Sequence, residues 1–411
     1  MKVSRAFFRD WRNIENCSVE FKPGINVLWG MNAQGKSNIL EGIYFFARGR
    51  SFRGARESEL IRFGCDTALS HIDFRRDGYE NDTSLEVTIS KNGKKRITRN
   101  AAPLSSPAEM MGSFRAVLFC PSNLSMVCAG PAERRTFLDI ALSQLSETYL
   151  TYLRRYMKVL RERNSMIKSV ASDGYKPSPE EWEVYASQLA DYGTNIAAFR
   201  SDYVSRLDLY VKEYFADMTS GSETPKLSYS SHAAYEGMPR PLAAFADPSD
   251  KSKLYEKLIS NTERECAAGA TLFGIHKDDI NITLNQKEAK LFASQGQQRS
   301  IVLSMKLAEA KCSKEIGGEY PVILLDDVFS ELDENRRRFV LDILSEESDD
   351  RSPARTYGKE NARTYGEAPC GEKQKLKEEL QIIVTSCEPD VIGRGDGIVN
   401  FKNIKEGRVI G

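Results

Sequence analysis

Three short segments, spread over nearly the whole chain, together describe one site for a nucleoside triphosphate. The first fits the pattern G-x-x-x-x-G-K-[S/T] and consists of Gly30, Met31, Asn32, Ala33, Gln34, Gly35, Lys36 and Ser37. The second consists of Ser294, Gln295, Gly296, Gln297 and Gln298. The third is the apolar run Val322–Leu325, which is followed by Asp326 and Asp327. Because these segments lie far apart, the sequence predicts an ATPase core that is divided by a large insertion.

A phosphate-binding loop is predicted from the first segment and its surroundings. Ile25–Trp29 reads as a buried strand, and apolar residues recur with helical spacing from Lys36 onward. The glycines allow the loop to aim its backbone N–H groups at phosphate oxygens at the start of a helix. Lys36 would then reach the β- and γ-phosphates, and the Ser37 hydroxyl would bind Mg²⁺.

The third segment predicts the strand that carries the catalytic carboxylates. Four apolar residues followed by two carboxylates are typical of a buried parallel strand that ends at a ligand site. Asp326 would bind Mg²⁺, and Asp327 would orient or activate the attacking water. Taken alone, the segment is explained equally well by an ordinary strand with an Asp-Asp turn. The phosphate-binding loop is what favours the ATPase interpretation.

The second segment indicates the class of ATPase. Ser294 and Gly296 stand before an amphipathic helix pattern, where a hydroxyl and free backbone N–H groups would form a second phosphate cradle. Taken alone, the segment reads better as a Gln-rich turn that caps a helix. It is similar to the signature loop with which one subunit of an ABC-type ATPase completes the nucleotide site of its partner. This similarity implies an ATP-dependent homodimer.

Six runs resemble, in order, those of the RecF family of bacterial recombination mediators, in the SMC-like branch of ABC ATPases. They are the run around Lys36, Phe119–Leu124, Gly130–Asp139, Gln188–Ala190, Phe273–Asp279 and Ser294–Ser300. The resemblance implies an α/β fold, namely an ABC-type ATPase head with an inserted, mainly helical arm domain. The head would contain a mixed sheet around the phosphate-loop core plus an antiparallel sheet.

The same resemblance implies ligands and partners for a protein of DNA repair and replication restart. ATP and Mg²⁺ are the expected cofactors, with Asn38 and Arg12 as further ATP contacts and Ser330 and Asp333 in the D-loop. The expected partners are double-stranded, single-stranded and gapped DNA, and RecR, which acts with RecO upstream of RecA. His276 lies in a run that resembles a family motif, but a lone histidine is more often a hydrogen-bonded structural residue.

Three departures from the wider ABC pattern favour a slow switch over a motor. No glutamine follows Ala116–Phe119 at the Q-loop position, and Thr385 stands where transporters place a switch histidine. Asp327 replaces the usual catalytic glutamate, and a shorter carboxylate acts less easily on water. The sequence therefore predicts slow, DNA-stimulated hydrolysis of ATP to ADP and phosphate.

Composition restricts the remaining classes of protein. Eight cysteines without a CxxC pair, and three isolated histidines, favour reduced thiols and no zinc site. No apolar run approaches the length of a membrane span. We therefore expect a cytoplasmic, nucleoid-associated protein without a membrane partner.

Charge is distributed unevenly along the chain. The net charge is zero, but residues 1–168 contain 27 Lys/Arg and 17 Asp/Glu, against 31 and 41 in residues 169–411. This asymmetry indicates a nucleic-acid face in the N-terminal half. Three basic clusters lie there, and Lys94, Lys95 and Arg96 of the second are the DNA candidates. The clusters are Arg48, Arg50, Arg53 and Arg56; Lys91, Lys94, Lys95, Arg96 and Arg99; and Arg154, Arg155, Lys158, Arg161 and Arg163. Each cluster alone is better explained as a solvated surface.

The pattern of elements predicts three consecutive parts. Residues 1–130 would form the N-terminal part of the ATPase core, residues 131–265 the helical arm or lobe, and residues 266–411 the C-terminal part of the core. Two long helical stretches, from Pro131 to about Ser169 and then to about Met218, would form the arm. Residues 345–375 are polar, and the run Ala354–Gly358 recurs eight residues later at Ala362–Gly366. This composition predicts a disordered surface insertion.

Two rival classes fit the sequence less well. A transporter ATPase subunit would place the signature loop closer to the phosphate-binding loop, whereas 256 residues separate Ser37 from Ser294. A defence ATPase of the overcoming-lysogenisation type would carry a nuclease domain after the ATPase, but 84 residues follow Asp327 and they lack an acidic metal cluster. Both alternatives are therefore disfavoured.

Overall fold

A computed structural model of the chain describes residues 1–219, 221, 223–231, 248–329, 336, 337, 339, 380–387 and 399–410. The strands are β1 (Lys2–Trp11), β2 (Ile14–Glu20), β3 (Gly24–Trp29), β4 (Thr67–Arg75), β5 (Thr83–Ser90), β6 (Lys95–Arg99), β7 (Ala102–Pro103), β8 (Ala116–Phe119), β9 (Pro225–Ser230), β10 (Asp279–Leu284), β11 (Lys287–Glu288), β12 (Val322–Asp326), β13 (Gln381–Ser386), β14 (Val399–Lys405) and β15 (Arg408–Ile410).

The helices are distributed unevenly between the strands. They are α1 (Lys36–Arg48), α2 (Pro107–Met110), α3 (Ser125–Cys128), α4 (Pro131–Leu145), α5 (Glu147–Asp173), α6 (Pro179–Thr219), α7 (Pro248–Ser260), α8 (Thr262–Ala268), α9 (Ala289–Phe292) and α10 (Gln295–Gly317). Short 3₁₀ turns occur at Glu57–Leu60, Pro121–Leu124 and Ile275–Lys277. Within the described residues, no helix is both long and apolar enough to cross a membrane.

The chain divides into two compact units. The first consists of Met1–Met110, Phe114–Pro121 and Gly318–Gly411, and the second of Met111–Ser113 and Ser122–Gly317. The α/β class predicted from the sequence is confirmed, because the first unit holds a mixed sheet and an antiparallel sheet and the second is mainly helical. The limits predicted at residues 130 and 265 stay a prediction. Grouped by contact, α10 and the signature segment belong to the second unit.

The mixed sheet of the first unit brings distant parts of the sequence side by side. Its strand order is β15-β14-β3-β13-β12-β8, and β14, β3, β13, β12 and β8 run parallel. All residues of β8, β12 and β13 are buried, as expected of parallel strands that are covered on both faces. The carboxyl ends of β3, β13 and β12 therefore meet at one edge of the sheet.

The second sheet of the first unit is antiparallel, in the order β2-β1-β4-β5-β6-β7. Buried residues alternate with more exposed ones along β4 and β5, as in a sheet with one face on a core. The side chains of Trp11, Phe45 and Phe46 are fully buried in this unit, and so is Phe8. Gly42 of α1 permits this packing, because a Cβ there would lie 2.2 Å from the Phe8 ring.

Long helices form the frame of the second unit. The sequence predicts one helical stretch from Pro131 to about Ser169, but the stretch is broken at Ser146, which is extended and caps α5 by accepting a hydrogen bond from Tyr149 N (3.1 Å). Helix α5 then continues to Asp173 and ends at Gly174, whose φ of 64° suits glycine. Helix α6, predicted to reach about Met218, ends at Thr219.

Arg163, a member of the basic cluster that runs from Arg154, is a core residue of the second unit. The side chain of Arg163 is fully buried, pairs with the equally buried Glu265 (2.6 Å) and donates a hydrogen bond to Thr271 Oγ1 (2.8 Å). Its guanidinium lies 5.2 Å from the centroid of the Trp182 ring. Neither a DNA contact nor a solvated surface, the two interpretations of this cluster, fits Arg163, because the turn of the helix directs this residue of the basic run towards the core.

Replacing Arg163 with methionine should destabilise the protein by about 3–5 kcal/mol, because Glu265 would stay buried without its cation. Urea unfolding followed by circular dichroism measures this change. The matched control is Arg161→Met, since Arg161 is exposed on the same helix. Equal stability of the two variants would contradict the structural role of Arg163.

Candidate nucleotide site

The phosphate-binding loop has the backbone shape that its glycines predict. Gly30 and Gly35 have φ values of 150° and 103°, and a Cβ on Gly30 would lie 2.3 Å from the carbonyl oxygen of Ile404. Ala33 also adopts a positive φ, 64°. The loop is therefore curled tightly against β14, and an alanine at position 30 would force the two segments apart.

The loop leaves polar groups ready for an anion. The backbone N–H groups of Lys36 and Ser37, at the start of α1, form no hydrogen bond to another described residue. The Lys36 ammonium is buried and donates hydrogen bonds to the carbonyl oxygens of Gly30 (2.5 Å) and Met31 (2.8 Å). A cation and free N–H groups at a helix start form a cradle that fits phosphate.

The Asp-Asp segment lies two strands away at the same edge of the sheet. Asp326 is the last residue of β12 and its side chain is nearly buried. Thr385, at the end of β13, donates a hydrogen bond from Oγ1 to Asp326 Oδ1 (3.0 Å) and accepts one from Asp327 N (3.0 Å). Asp327 itself is exposed and has a φ of 52°. One threonine hydroxyl thus holds the carboxylate of Asp326 and the backbone of Asp327.

Arg53 links the two motifs, and sequence reasoning did not assign it to this site. It donates a hydrogen bond from Nη1 to Asn38 Oδ1 (2.9 Å), and its Nη2 lies 3.9 Å from Asp326 Oδ2. Its position in a run of arginines gave no signal for this role. The contact shows that the helix after the phosphate-binding loop and the end of β12 lie within the reach of one side chain.

Arg12, predicted to contact ATP, is engaged by a buried acid. It donates hydrogen bonds to both carboxylate oxygens of Glu41 (2.8 and 2.6 Å) and to the carbonyl oxygen of Glu59 (3.0 Å). Glu41 is fully buried and also accepts a hydrogen bond from Ser51. The bidentate pair anchors β1 to α1 close to the loop, and contact of Arg12 with ATP stays a prediction.

The last hairpin of the chain supports the phosphate-binding loop. The backbone N–H of Gly407 donates to the carbonyl oxygen of Gln34 (2.8 Å), and that of Glu406 donates to Gln34 Oε1 (2.5 Å). Sequence reasoning missed this support, because the β14–β15 turn carries no pattern that points to residue 34. The conformation of Gln34 therefore depends on the turn between β14 and β15.

The signature segment begins α10 in the second unit. Ser294 and Gln297 form a capping box: Gln297 N donates to Ser294 Oγ (3.3 Å), and Ser294 N donates to Gln297 Oε1 (2.6 Å). Gln298 N donates to the carbonyl oxygen of Ser294 (2.9 Å). The N–H groups of Gln295 and Gly296 have no partner among the described residues. This helix start therefore offers two N–H groups and a hydroxyl to an anion.

The donor set fits a nucleotide with a divalent cation. Ser37 and Asp326 offer the hard oxygen atoms that Mg²⁺ prefers, and the phosphates would provide further ones. Among the described residues, no group of three or more His, Cys, Asp or Glu could hold a metal ion. Mg²⁺ in nucleotide sites is commonly held by one or two protein oxygens together with phosphate oxygens and waters, and Ser37 and Asp326 could serve as those protein oxygens.

His276 has a structural environment. Its Nε2 donates to the carbonyl oxygen of Thr271 (3.0 Å), and its Nδ1 accepts from the Tyr156 hydroxyl (2.8 Å). Burial lowers the pKa of His276 to about 4, from an ordinary value near 6.5. The ring is therefore neutral at pH 7, and both its nitrogens are already used.

The three DNA candidates have different surroundings. Lys94 and Arg96 are exposed, next to the turn between β5 and β6 and on β6 itself. Lys95 is mostly covered: it pairs with Glu57, and its Nζ lies 5.6 Å from the centroid of the Phe45 ring. Lys95 therefore has a structural role in the first unit. Ser330, Asp333 and the predicted insertion at 345–375 lie outside the described residues.

Similarity to known proteins places this geometry in a family. The family model described as RecF/RecN/SMC N terminal domain matches residues 2–352. The DNA replication and repair protein RecF of Clostridium perfringens is 40% identical over 333 residues, which cover 81% of this chain and 87% of that protein. RecF of a Thermoanaerobacter species is 35% identical over 348 residues, covering 84% and 91%.

Solved structures agree with the sequence relatives. A structure of the recombination mediator protein RecF with ATP, in the RecFOR pathway, has a TM-score of 0.81 and 28% identity, covering 99% of this chain and 98% of that chain. An Smc head bound to the C-terminal winged-helix domain of ScpA has a TM-score of 0.53 at 14% identity, which shows the fold alone. The predicted ABC-type head of the SMC-like branch is thereby confirmed.

The surroundings of His276 predict how stability depends on pH. The unfolded chain takes up a proton at this residue near pH 6.5 and the folded chain only near pH 4, so the free energy of unfolding falls as the pH drops through this window. His276→Gln can keep both hydrogen bonds but does not titrate. Between pH 7 and pH 5 the variant should lose about 1–2 kcal/mol less than the unmodified protein.

Urea unfolding at the two pH values measures this difference. An equal loss of stability in both proteins would mean that His276 is protonated as easily in the folded chain as in the unfolded one.

Proposed function

Because this chain belongs to the RecF family, we propose that it is an ATP-dependent DNA-binding protein of recombinational repair and replication restart. The observation that carries the proposal is that the phosphate-binding loop, with Lys36 and Ser37, and Asp326 lie in the same unit of the fold. Arg53 contacts both Asn38, directly after the loop, and Asp326. The related RecF–ATP structure supports ATP as the ligand. The names of the relatives support a role in DNA replication and repair. For a protein with that role, we propose a place in the cytoplasm at the nucleoid.

ATP binding would replace internal contacts of the loop with contacts to phosphate. The Lys36 ammonium now bonds to Gly30 O and Met31 O, and it would turn to the β- and γ-phosphates. The free N–H groups of Lys36 and Ser37 would donate to the same oxygens. Ser37 and Asp326 would hold Mg²⁺, whose charge neutralises the phosphates when it is bound. Asn38 and Arg12 are further proposed contacts.

Hydrolysis would depend on Asp327. Its backbone N–H donates to Thr385 Oγ1, which fixes the backbone of Asp327 directly after the end of β12. There it would orient the attacking water, or accept its proton. The side chain is one methylene shorter than the glutamate of most ABC ATPases, so we propose slow turnover that DNA stimulates. Such an enzyme acts as a switch whose ATP-bound state persists.

The signature segment would act on the nucleotide of a second copy of the chain. Ser294 Oγ and the free N–H groups of Gln295 and Gly296 would bind the γ-phosphate held by the partner subunit, with Gln297 and Gln298 supporting the loop. A two-fold dimer then encloses two nucleotides. Ser330 and Asp333 are proposed to lie in its D-loop, and residues 131–265 to form the inserted helical arm.

The dimer would bind DNA at gaps and, through RecR with RecO, help to load RecA. The RecFOR pathway named for the structural relative supports this set of partners. For contact with the DNA backbone we propose Lys94 and Arg96, because both are exposed and form no ion pair in the described part of the chain. Lys95, also predicted from the sequence, would act indirectly by holding β6 against Glu57.

Two substitutions should separate ATP binding from hydrolysis. Lys36→Met removes the cation that meets the phosphates, so the variant should bind no ATP and stay monomeric. Asp327→Asn leaves the phosphate contacts intact, so this variant should bind ATP and dimerise but hydrolyse it at least about tenfold more slowly. Light scattering with ATP and Mg²⁺ measures the dimer, and phosphate release measures turnover.

The unmodified protein is the control in both assays. If it remains monomeric at saturating ATP, the shared nucleotide site is wrong. Unchanged turnover of the Asp327→Asn variant would remove Asp327 from the reaction while leaving the binding site in place.

DNA binding should be stimulated by ATP, tolerant of sequence and steeply dependent on salt, because cations that contact phosphates release counterions. Reversing Lys94 and Arg96 to glutamate should reduce the slope of log K against log salt by about 1.4–1.8, if each residue contacts one phosphate. Fluorescence anisotropy on duplex and gapped DNA across a salt series measures this slope.

A matched control reverses Lys226 and Lys253, two exposed lysines of the second unit, to glutamate. It changes the net charge equally and should leave the slope near that of the unmodified protein. Equal losses in the two double variants would show that net charge alone, and no face at β6, governs binding.

A further inference from the structure

An exposed apolar pair stands directly before the signature segment. Leu291 and Phe292, in α9, are each 67% exposed. We call this pair the apolar ledge. Phe292 and Ser294 are two residues apart, so their Cα atoms lie within about 7 Å. Large apolar side chains that stand side by side in water mark an interaction site more often than scattered single ones do.

Local geometry holds the ledge outward. The turn between β10 and β11 consists of Asn285 and Gln286, both with positive φ (50° and 66°), which gives a tight two-residue hairpin. The chain then enters α9, where Ala293 N donates to the carbonyl oxygen of Ala289 (3.0 Å). Ala289 is fully buried. Ala293, which caps α9, is partly buried against the same core. The two alanines therefore hold the ends of α9 to the core, while Leu291 and Phe292 are exposed.

In α9 the smaller apolar residue is buried and the larger ones are exposed, which is the reverse of what hydrophobicity alone predicts. The small residue Ala289 is the buried residue of α9, whereas the larger Leu291 and Phe292 are exposed. The ammonium of Lys287 lies 6.0 Å from the centroid of the Phe292 ring, which further orients the ring at the surface. The ledge is therefore a fixed surface feature of the second unit.

We propose that the apolar ledge is buried against a second copy of this chain when ATP joins the two copies. The inference rests on the proposed function, which brings Ser294 to the phosphates of the partner. A surface that reaches the Ser294 hydroxyl must also approach Phe292, because the two Cα atoms lie within about 7 Å of each other. The ledge is thus continuous with the proposed interface.

The receiving surface follows from the same geometry. Ser294 must reach phosphates held by the partner's phosphate-binding loop, so the ledge would lie against the outer side of that loop. Met31, in this loop, is 79% exposed and has a flexible apolar side chain that adapts to an irregular contact. Two-fold symmetry repeats the contact, so that each copy offers one ledge and one Met31.

The test compares dimer formation by a ledge variant with that by a matched control. Leu291→Ser with Phe292→Ser removes the ledge, whereas Val184→Ser with Leu209→Ser removes two exposed apolar side chains (54% and 66%) from α6. Sedimentation equilibrium with ATP and Mg²⁺ gives the dissociation constant of the dimer. The ledge variant should raise this constant about tenfold or more, as loss of an apolar anchor does, and the control should leave it unchanged.

Two further measurements separate the possible outcomes. Binding of a fluorescent ATP analogue to dilute monomer should be equal in all variants, because the ledge does not contact the nucleotide of its own chain. Thermal unfolding should also be equal, because the substituted side chains are exposed. If the double variant unfolds earlier, the single variants Leu291→Ser and Phe292→Ser should each raise the dissociation constant without that change.

The inference and the proposed function fail in different ways. If the unmodified protein does not dimerise with ATP, the proposed function itself is wrong. If it dimerises and Ser294→Arg prevents this, while the ledge variant dimerises normally, only the inference is overturned. Loss of DNA or RecR binding at an unchanged dimer constant would likewise overturn it, by assigning the ledge to that other partner.

Discussion

The parallel pairing of β3, β13 and β12 is the constraint on which the nucleotide site depends. It brings the end of β3, near residue 29, and the end of β12, at residue 326, to the same edge of one sheet with β13 between them. Thr385 at the end of β13 then reaches Asp326, and Arg53 reaches both motifs. Without this pairing, the phosphate-binding loop and the carboxylates would not lie at the same edge of the sheet.

Each phosphate cradle has one polar side chain that is paired within the chain, beside N–H groups that have no partner among the described residues. Lys36 bonds to carbonyl oxygens of its loop, and Ser294 caps the helix that follows it. The Lys36 contacts keep a buried ammonium paired, and the Ser294 contact caps the exposed start of α10. ATP must compete with them in each copy of the chain. Such a protein can act as a switch, in which Lys36 and Ser294 contact either their own chain or the phosphates of ATP.

The parts that were predictable from the sequence are those encoded locally. The phosphate-binding loop, the buried strand before Asp326 and the helix from Lys36 follow from residue spacing. The contacts of Arg53, the hydrogen bonds of Thr385 to the Asp-Asp segment and the support of Gln34 by Gly407 were not predictable, because each depends on which strands pair. Burial of Arg163 was missed since it depends on the facing of a long helix. The break at Ser146 could have been found, because a serine followed by an acidic helix start is a capping signal.

Mixing two inactive variants tests the central claim, that each nucleotide site is built from two copies of the chain. Lys36→Met disables the phosphate-binding loop and Ser294→Arg disables the signature segment, so neither protein alone should hydrolyse ATP. A mixed dimer contains one intact site, formed by Lys36 of one copy and Ser294 of the other. An equimolar mixture should therefore recover ATPase activity. A mixture that stays inactive while both variants still dimerise with the unmodified chain, or a Ser294→Arg protein that is fully active alone, would contradict the claim.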